Sequence, residues 1–208
     1  MAGATLPQLR EATRRRMGVA NGDTLIDEVA LDEAVNFAVF TLDNERPWPW
    51  LEGHEDVIVP IGASSWPTPA DYRSTRSVVN ITTGFEYQPA APVDTFLKIG
   101  TGTPQFYAVY ESQVMLDIDT AVQLNLKHLY YKRSPFLVNE ADVTLAPADA
   151  APAIAAAACA WLTGGREDNP KGGEVHEAAY NRWVVRLFDG LRPTTKPITP
   201  RIRAGSWM

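Results

Sequence analysis

The residues PQFYAVYESQVMLDIDTAVQLNLKHLYYKRSP, at positions 104–135, decide the fold that the sequence predicts. Phe106–Tyr110 is aromatic and β-branched, which suits a half-buried strand. After two polar residues, apolar side chains alternate with polar ones along 113–119 and again along 122–131. Short polar turns favour antiparallel pairing, because parallel strands need crossovers of a dozen residues or more. The stretch therefore predicts a three-stranded antiparallel meander.

Patterns with helical periodicity lie on both sides of this meander, and their start and stop signals predict four helices. The predicted helices span Thr5 to about Gly18, Asp23 or Thr24 to about Asn44, Pro147 to Gly164, and Glu174 to Leu191. We therefore expect an α+β protein. Its parts would be a small four-helix bundle, an inserted antiparallel β-meander domain and an extended C-terminal tail.

The same patterns divide the chain into segments. The N-terminal helices of the bundle would occupy residues 1–54 and its C-terminal helices residues 136–192. The β-domain would occupy residues 55–135, with a long exposed loop at 82–103 that is rich in Gly, Pro and Thr. An extended arm would occupy residues 193–208.

The arm is predicted from the sequence PTTKPITPRIRAGSWM, which has three prolines and no periodicity. It is basic, but it also contains Ile198, Ile202 and Trp207. A purely solvating tail has no need of these apolar side chains. We therefore favour an arm that orders on a partner over a frayed terminus.

Composition is typical of a soluble globular protein, with 45% hydrophobic and 21% charged residues. The one cysteine, Cys159, excludes an internal disulfide, and its alanine-rich apolar surroundings favour a buried, unreactive thiol. No run of eighteen apolar residues predicts a membrane span. No apolar signal core follows the N-terminal arginines, so we expect an intracellular product that has no membrane partner.

Charge is distributed unevenly around the net charge of −6. Residues 23–56 hold ten acidic side chains and one basic, whereas residues 182–208 hold six basic and one acidic. Two solvated faces would explain this, and so would a contact between the acidic part of one copy and the basic part of another. The candidate subunit-interface residues are Asp27, Glu28, Asp32, Glu33, Arg182 and Arg186.

Two motifs have a nucleic-acid interpretation. Arg14–Arg16 form a cationic cluster, but cations also suit the last turn of a helix. Trp48-Pro49-Trp50 could stack on bases, but single-strand binders interleave aromatics with Lys or Arg, and the neighbours here are acidic. We therefore expect dipole compensation at the first motif and a cover for one end of the core at the second.

The search for chemistry yields no catalytic, cofactor-binding or metal-binding residues. His54, His128 and His176 lie in different elements without ligand spacing. Asp117 and Asp119 share the predicted wet face of one strand, where they could be the paired carboxylates of a hydrolase, bind a cation, or simply be solvated. We expect that the protein is not an enzyme, and a hydrolase built around these aspartates stays the weaker alternative.

Several weak motifs follow one another in a fixed order between about residues 20 and 191. They are LDEAVNFAVFTLDNE (31–45), WPWLE (48–52), ADYRSTRSVVN (70–80), TPQFYAVYESQVMLDI (103–118), LNLKHLYYKRSPFLVNEADVTLAPADAA (124–151) and EAAYNRWVVRLFDGL (177–191). This order resembles that of the head-to-tail connector (adaptor) proteins of tailed bacteriophages. Those adaptors similarly combine a small helical bundle with a β-domain.

The resemblance implies a structural protein of the virion, present in the host cytoplasm during assembly. It implies a dodecameric ring that docks on the portal, extends the DNA channel and offers its other rim to a tail or nozzle protein. Genomic DNA would pass through the lumen without sequence-specific binding. The candidate portal-binding residues lie in or beside the arm: Arg192, Lys196, Ile198, Arg201, Ile202, Arg203 and Trp207.

The alternative function is a nucleic-acid-binding DNA packaging factor. It would use the basic cluster near the N-terminus and the basic C-terminus. The overall acidity, with an isoelectric point of about 5.1, speaks against it.

Overall fold

The computed structural model describes residues 3–19, 26–91, 100–164 and 170–191. Within these ranges lie four α-helices: α1 (Leu6–Met17), α2 (Glu28–Glu45), α3 (Ala151–Gly164) and α4 (Pro170–Leu191). Two short 3-10 turns, Pro49–Leu51 and Ala148–Ala150, precede a strand and α3 respectively.

The described residues also contain eleven strands. They are β1 (Gly3–Thr5), β2 (Glu52–Val59), β3 (Ser65–Pro67), β4 (Tyr72–Asn80), β5 (Glu86–Pro89), β6 (Thr101–Gly102), β7 (Phe106–Tyr110), β8 (Gln113–Leu116), β9 (Asp119–Thr120), β10 (Leu124–Lys132) and β11 (Val143–Pro147). Seven of them form one mixed sheet in the order β2-β10-β4-β5-β7-β8-β3. Only the β5–β7 pair of that sheet is parallel. The pairs β1–β11, antiparallel, and β6–β9, parallel, form two small separate sheets.

The predicted fold class is wrong in its two main parts. The protein is not a small four-helix bundle, because a large seven-stranded mixed sheet accompanies the helices. The predicted meander is confirmed only in its first hairpin, β7–β8. The third predicted strand, β10, lies between β2 and β4 instead. Strand length explains this choice, since β10 has nine residues and matches β2 and β4, whereas β8 has four.

The predicted loop at 82–103 is likewise not a plain loop. It contains β5, which joins the large sheet beside β7, and the short strand β6. Residues 92–99 of that predicted loop lie outside the described residues, as do the predicted arm at 193–208 and the predicted start of the second helix at Asp23 or Thr24.

Local signals explain how α1 begins and ends, as predicted. Thr5 caps the helix in a capping box with Gln8, and Pro7 lies in the first turn, where its missing N–H has no cost. Gly18 ends the helix with a φ of 73°, a conformation that glycine adopts readily.

Helix α3 is the centre of the helical layer and packs against α1, α2 and α4. Its alanine run, Ala155–Ala158, is buried and lets neighbouring helices approach closely. Helix α4 also approaches closely at its start, where a Cβ added to Gly173 would lie 3.2 Å from the Cα of Gly164. Cys159 is buried in this layer, and its burial raises the pKa of the thiol to about 12. The prediction of a buried thiol is therefore confirmed.

The sheet has an apolar core of its own, separate from that of the helices. Its members are Val59, Trp66, Val78, Tyr87, Tyr107, Val114, Leu116, Leu124 and Leu126. The two layers meet where α2 passes the segment that follows β10. There the Arg73 guanidinium donates to the main-chain carbonyl of Asp43, and the Ser134 N–H donates to the Asp43 carboxylate.

Candidate functional site on helix α2

The outer face of α2 exposes large apolar side chains that a core would ordinarily bury. Phe37 is 47% exposed and Phe40 is 57% exposed. On the segment between β10 and β11, Phe136 is 68% exposed and Val138 is 66% exposed, and Phe136 lines the same cleft as Phe40. We call these four residues the α2 surface. Exposed apolar groups that lie together usually mark a site of interaction with another molecule.

A pair of hydrogen bonds explains why Phe136 and Val138 face outward. The buried Asn36 side chain donates to the Leu137 carbonyl at 3.0 Å and accepts from the Leu137 N–H at 2.7 Å. Asn36 thus forms with Leu137 the two hydrogen bonds that a residue of a neighbouring β-strand would form. The Leu137 side chain is buried. Because side chains alternate along an extended chain, the residues on either side of Leu137 face away from the core.

A cleft of about 300 Å³ opens beside Phe40 and Phe136, which form its apolar walls. Its polar residues include Asp43, Arg73 and Ser134. The Ser134 N–H donates to Asp43 Oδ2 at 3.2 Å, but the buried Oδ1 atom of Asp43 has no donor among the described residues. The Ser134 hydroxyl lies beside the same carboxylate and, together with the Ser134 N–H, acts to lower the pKa of Asp43.

Burial dominates the electrostatics of this cleft. Desolvation raises the pKa of the Asp43 carboxyl, and the Ser134 hydrogen bond and the Arg73 charge oppose that shift. A buried carboxylate oxygen without a donor is costly, so a donor brought by another molecule would stabilise it. The cleft thus combines apolar walls with a buried carboxylate, whose Oδ1 atom has no donor among the described residues.

Most of the predicted acidic interface residues have partners inside the chain. Arg10 binds Asp32 through two hydrogen bonds of 2.5 and 2.6 Å, and Arg14 binds Glu28 at 2.7 Å. These arginines lower the pKa of Glu28.

The other two acidic residues differ from this pair. Asp27 caps α2 by accepting from the Val29 N–H at 3.3 Å. Glu33 is exposed and has no ion pair within the described ranges.

The two predicted basic interface residues lie exposed on α4. The Nε of Arg182 donates to the Ala178 carbonyl at 3.2 Å, and the Arg186 guanidinium lies 5.0 Å from the centre of the Trp183 ring. Neither pairs with a carboxylate in the part of the chain that the structure describes. The predicted portal-binding residues, from Arg192 to Trp207, lie outside the described residues.

The predicted shared wet face of Asp117 and Asp119 is wrong for Asp117. Strand β8 ends at Leu116, so the alternation breaks there, and Asp117 is buried. Its Oδ1 accepts from the main-chain N–H groups of Gln105 and Phe106, at 2.9 and 3.2 Å. Asp117 therefore holds the start of β7, and only Asp119 is exposed.

Sequence reasoning missed a buried polar network that crosses three strands. His128 lies 3.0 Å from Glu55 through Nδ1 and 3.0 Å from Thr75 Oγ1 through Nε2. The Tyr72 hydroxyl lies 3.0 Å from the same Thr75 oxygen. The order hydroxyl, imidazole, carboxylate is that of a nucleophilic triad. His128 is fully buried, however, and the cleft at α2 is lined by other residues.

A structural role accounts for this network, because its hydrogen bonds satisfy both ring nitrogens of a histidine that is buried in the sheet. A sequence signal for it existed. His128 has the same parity along β10 as the buried residues Leu124, Leu126 and Tyr130, so period-two alternation places its side chain on the buried face.

The described residues contain no group of three or more His, Cys, Asp or Glu side chains arranged to hold a metal ion. None of their helices combines the length and apolarity that crossing a membrane requires. No protein-family model matches the chain, and no curated protein is significantly similar to it.

Proposed function

We propose that this protein is a ring-forming head-to-tail adaptor of a tailed bacteriophage. It would dock on the portal, extend the DNA channel and provide the attachment surface for the tail. The observation that carries the proposal is the α2 surface, with its adjoining cleft. The order of motifs resembles that of connector proteins, and this resemblance suggests the assembly in which such a surface would make contacts.

The contact that closes a ring joins two different patches, one from each neighbouring copy. Helix α4 offers a second patch, because the exposed side chains of Val175, Ala178, Arg182 and Val185 lie on one face at helical spacing. This face is apolar and carries cations without carboxylate partners in the described residues. The α2 surface is apolar, and the helix that carries half of it also carries the exposed Glu33, which has no ion pair among the described residues. Apolar area and charge are thus complementary between the α2 surface of one copy and the α4 face of the next.

An adaptor also needs a surface for the tail, and the large sheet offers one. Ile58 on β2 is paired with Asn125 on β10, and the Ile81 N–H donates to the Asn125 carbonyl on the other side. Ile58, Asn125 and Ile81 are all exposed. They form a row across one end of the sheet, which we assign to the tail or nozzle protein. The arm, with its cations, is assigned to the portal.

The test is electron microscopy of the purified protein, alone and mixed with its portal. We expect a symmetric ring, formed alone or on the portal. Phe40→Asp should prevent ring formation while circular dichroism shows a folded protein. Phe85→Asp is the matched control, because Phe85 is a similarly exposed phenylalanine (45%) at a turn of the sheet.

Two outcomes would contradict the proposal. One is a protein that stays monomeric and ignores the portal. The other is a ring that forms equally well with Phe40→Asp and with Phe85→Asp, which would remove the α2 surface from the contact.

The alternative, a DNA packaging factor, would need free cations. Arg10, Arg14 and Arg15 are engaged with carboxylates of α1 and α2, which lowers the positive charge available to phosphates. A gel shift at several salt concentrations separates the two functions. An adaptor should show little affinity for DNA at physiological ionic strength, whereas tight binding that weakens steeply with salt would favour the alternative.

A further inference from the structure

Two grooves flank the end of α4, and Leu191 lines both of them. The first has a volume of about 650 Å³ and is lined by Trp48, Pro49 and Phe188, among others. The second, which we call the α4 groove, has a volume of about 320 Å³. Its apolar lining comes mainly from Trp50, Trp183 and Leu187.

The two neighbouring tryptophans differ in their hydrogen bonds. Trp48 and Trp50 stack with ring centres 4.5 Å apart, and Trp48 is buried as the predicted cover of the core. The Trp48 indole N–H donates to the Leu42 carbonyl at 2.7 Å. The Trp50 indole N–H is also buried but has no acceptor within the described ranges. Buried donors are nearly always paired, so this one indicates a missing carbonyl or other acceptor.

The lining and the free donor together define the class of ligand. A polyproline II segment makes no internal hydrogen bonds, so its carbonyls are free to accept. Proline rings pack well on aromatic side chains, and aromatic-lined grooves recognise proline-rich segments in this way. The α4 groove offers two tryptophan rings, and the indole N–H of one of them, Trp50, has no acceptor among the described residues, so the groove suits an extended, proline-rich peptide.

A segment of that composition follows directly from the rim of the groove. Residues 193–200 read PTTKPITP, with prolines at positions 193, 197 and 200, and they begin two positions after Leu191. The short tether gives an attached ligand a high effective concentration, on the order of mM. The segment also carries Lys196, and the exposed Asp149 at the groove has no ion pair within the described residues.

The length of the α4 groove matches the length of a short extended segment of this kind. The groove follows α4 back from Leu191 to Trp183, about 12 Å at a rise of about 1.5 Å per residue. Four residues of polyproline II cover that distance at about 3.1 Å each. A reversal of the chain at Pro193 would therefore place residues 194–197 along the groove.

We propose that residues 193–200 bind in the α4 groove of the same chain as a polyproline II segment. The Trp50 indole N–H donates to one of its main-chain carbonyls. The inference concerns a single copy and does not depend on ring formation. If the adaptor proposal holds as well, the groove stores the arm in the free protein, and the portal competes with the groove for it.

The test uses the full-length, ¹⁵N-labelled protein with a nitroxide label on an added cysteine, Ala204→Cys. The native thiol does not interfere, because Cys159 is buried and has a pKa raised to about 12. We expect the label to broaden the indole N–H signals of Trp50 and Trp183, and reduction of the nitroxide to restore them. Signals of full intensity in the oxidised protein would overturn the proposal.

Three variants sharpen the result. Replacing the three prolines at 193, 197 and 200 by alanine should restore the Trp50 and Trp183 signals, whereas the matched control Thr194→Ala with Thr195→Ala should leave them broadened. Trp50→Phe keeps a ring but removes the donor, and it should reduce the ratio of bound to free segment by about two- to tenfold. Equal broadening in the proline variant and its control would contradict recognition of a polyproline II segment.

Mixing two differently labelled proteins shows whether the bound segment comes from the same chain or from a second copy. Nitroxide-labelled ¹⁴N protein and unlabelled ¹⁵N protein are unfolded and refolded together. Binding within one chain predicts no broadening in this mixture, and broadening there would show that the segment comes from a second copy. Because these signals arise from Trp50 and Trp183, their outcome is independent of the Phe40→Asp ring test.

Discussion

Buried polar groups are more completely hydrogen-bonded in the sheet than in the helical layer. In the sheet, His128 is bonded at both ring nitrogens and Asp117 accepts two main-chain N–H groups, with the Trp66 indole N–H as an exception. The helical layer leaves Asp43 Oδ1 and the Trp50 indole N–H without partners among the described residues. Both of those atoms lie in residues that line a cleft or groove at the surface. Among the described residues, the sheet thus leaves only the Trp66 indole N–H unpaired, whereas the helical layer leaves several buried polar atoms unpaired.

The largest effect should come from breaking the closed network of the sheet. His128→Ala leaves Glu55 and Thr75 without their shared partner and creates a cavity under Trp66. We expect a loss of about 3 kcal/mol in the free energy of unfolding, measured by urea denaturation. The control is His54→Ala on β2, where the side chain is exposed and the change should be within about 0.5 kcal/mol. Equal effects of both substitutions would show that the network contributes nothing.

A smaller loss should follow from releasing the segment that carries half of the α2 surface. Asn36→Ala removes both hydrogen bonds to Leu137, leaving a buried carbonyl and a buried N–H unpaired. We expect a loss of about 2 kcal/mol and weaker ring formation. Thr41→Ala is the control, because Thr41 lies on the same helix but does not line the cleft, and its hydroxyl donates to the Phe37 carbonyl. Unchanged ring formation by Asn36→Ala would show that Phe136 and Val138 are not part of the subunit contact.

A gain is expected at the turn between β7 and β8. Glu111 and Ser112 have φ values of 46° and 63°, a conformation that costs side chains with a Cβ about 1–2 kcal/mol each. Tight hairpin turns of this kind favour Asn-Gly. Glu111→Asn combined with Ser112→Gly should stabilise the protein by about 1 kcal/mol in urea denaturation. The pair Glu86→Asn with Gln88→Gly on β5, where both residues are extended and exposed, should not stabilise it.

The smallest expected effect is a pH dependence at the α2 cleft. Burial raises the pKa of Asp43 above its ordinary value of 3.8, so the folded state holds the proton more tightly than the unfolded state. The contribution of this group is therefore most favourable at low pH and is lost as pH rises through the folded-state pKa. Asp43→Asn cannot lose a proton, so its stability relative to the wild type should improve as pH rises through that window. A difference that is constant with pH, or of opposite sign, would contradict the burial effect.

Much of the helical layer was predictable because its signals are local. The stripe Leu31, Val35, Ala38, Val39 and Leu42 on α2 is buried as predicted, and Thr5 and Gly18 bound α1. The same stripe leaves Phe37 and Phe40 on the opposite side, so half of the α2 surface was present in the pattern. The other half was not, because Phe136 and Val138 are positioned by Asn36, 101 residues away from Leu137.

The sheet was harder to predict, because its strand pairing also depends on contacts between residues that are far apart in the sequence. Alternation identified β7, β8 and β10 as strands, but it gives no information on which strand is the neighbour. The pairing of β10 with β2 joins His128 to Glu55, 73 residues apart, and the parallel pairing of β5 with β7 has no local turn signal. Asp117 shows the remaining difficulty, since the end of a strand is decided by hydrogen bonds that the period of two does not record.

The position of Asn36 and Leu137 also bears on how the protein is synthesised. Chains emerge from the ribosome N-terminus first, so α1 and α2 exist before the segment that completes them. The apolar side of α2 is covered only when α3 appears, and the α2 surface is completed only when Leu137 reaches Asn36. A translation product that stops within the sheet therefore lacks Phe136 and Val138, which are half of the α2 surface. In the proposed ring, this order of synthesis would exclude incomplete chains before they could occupy a position and block the channel.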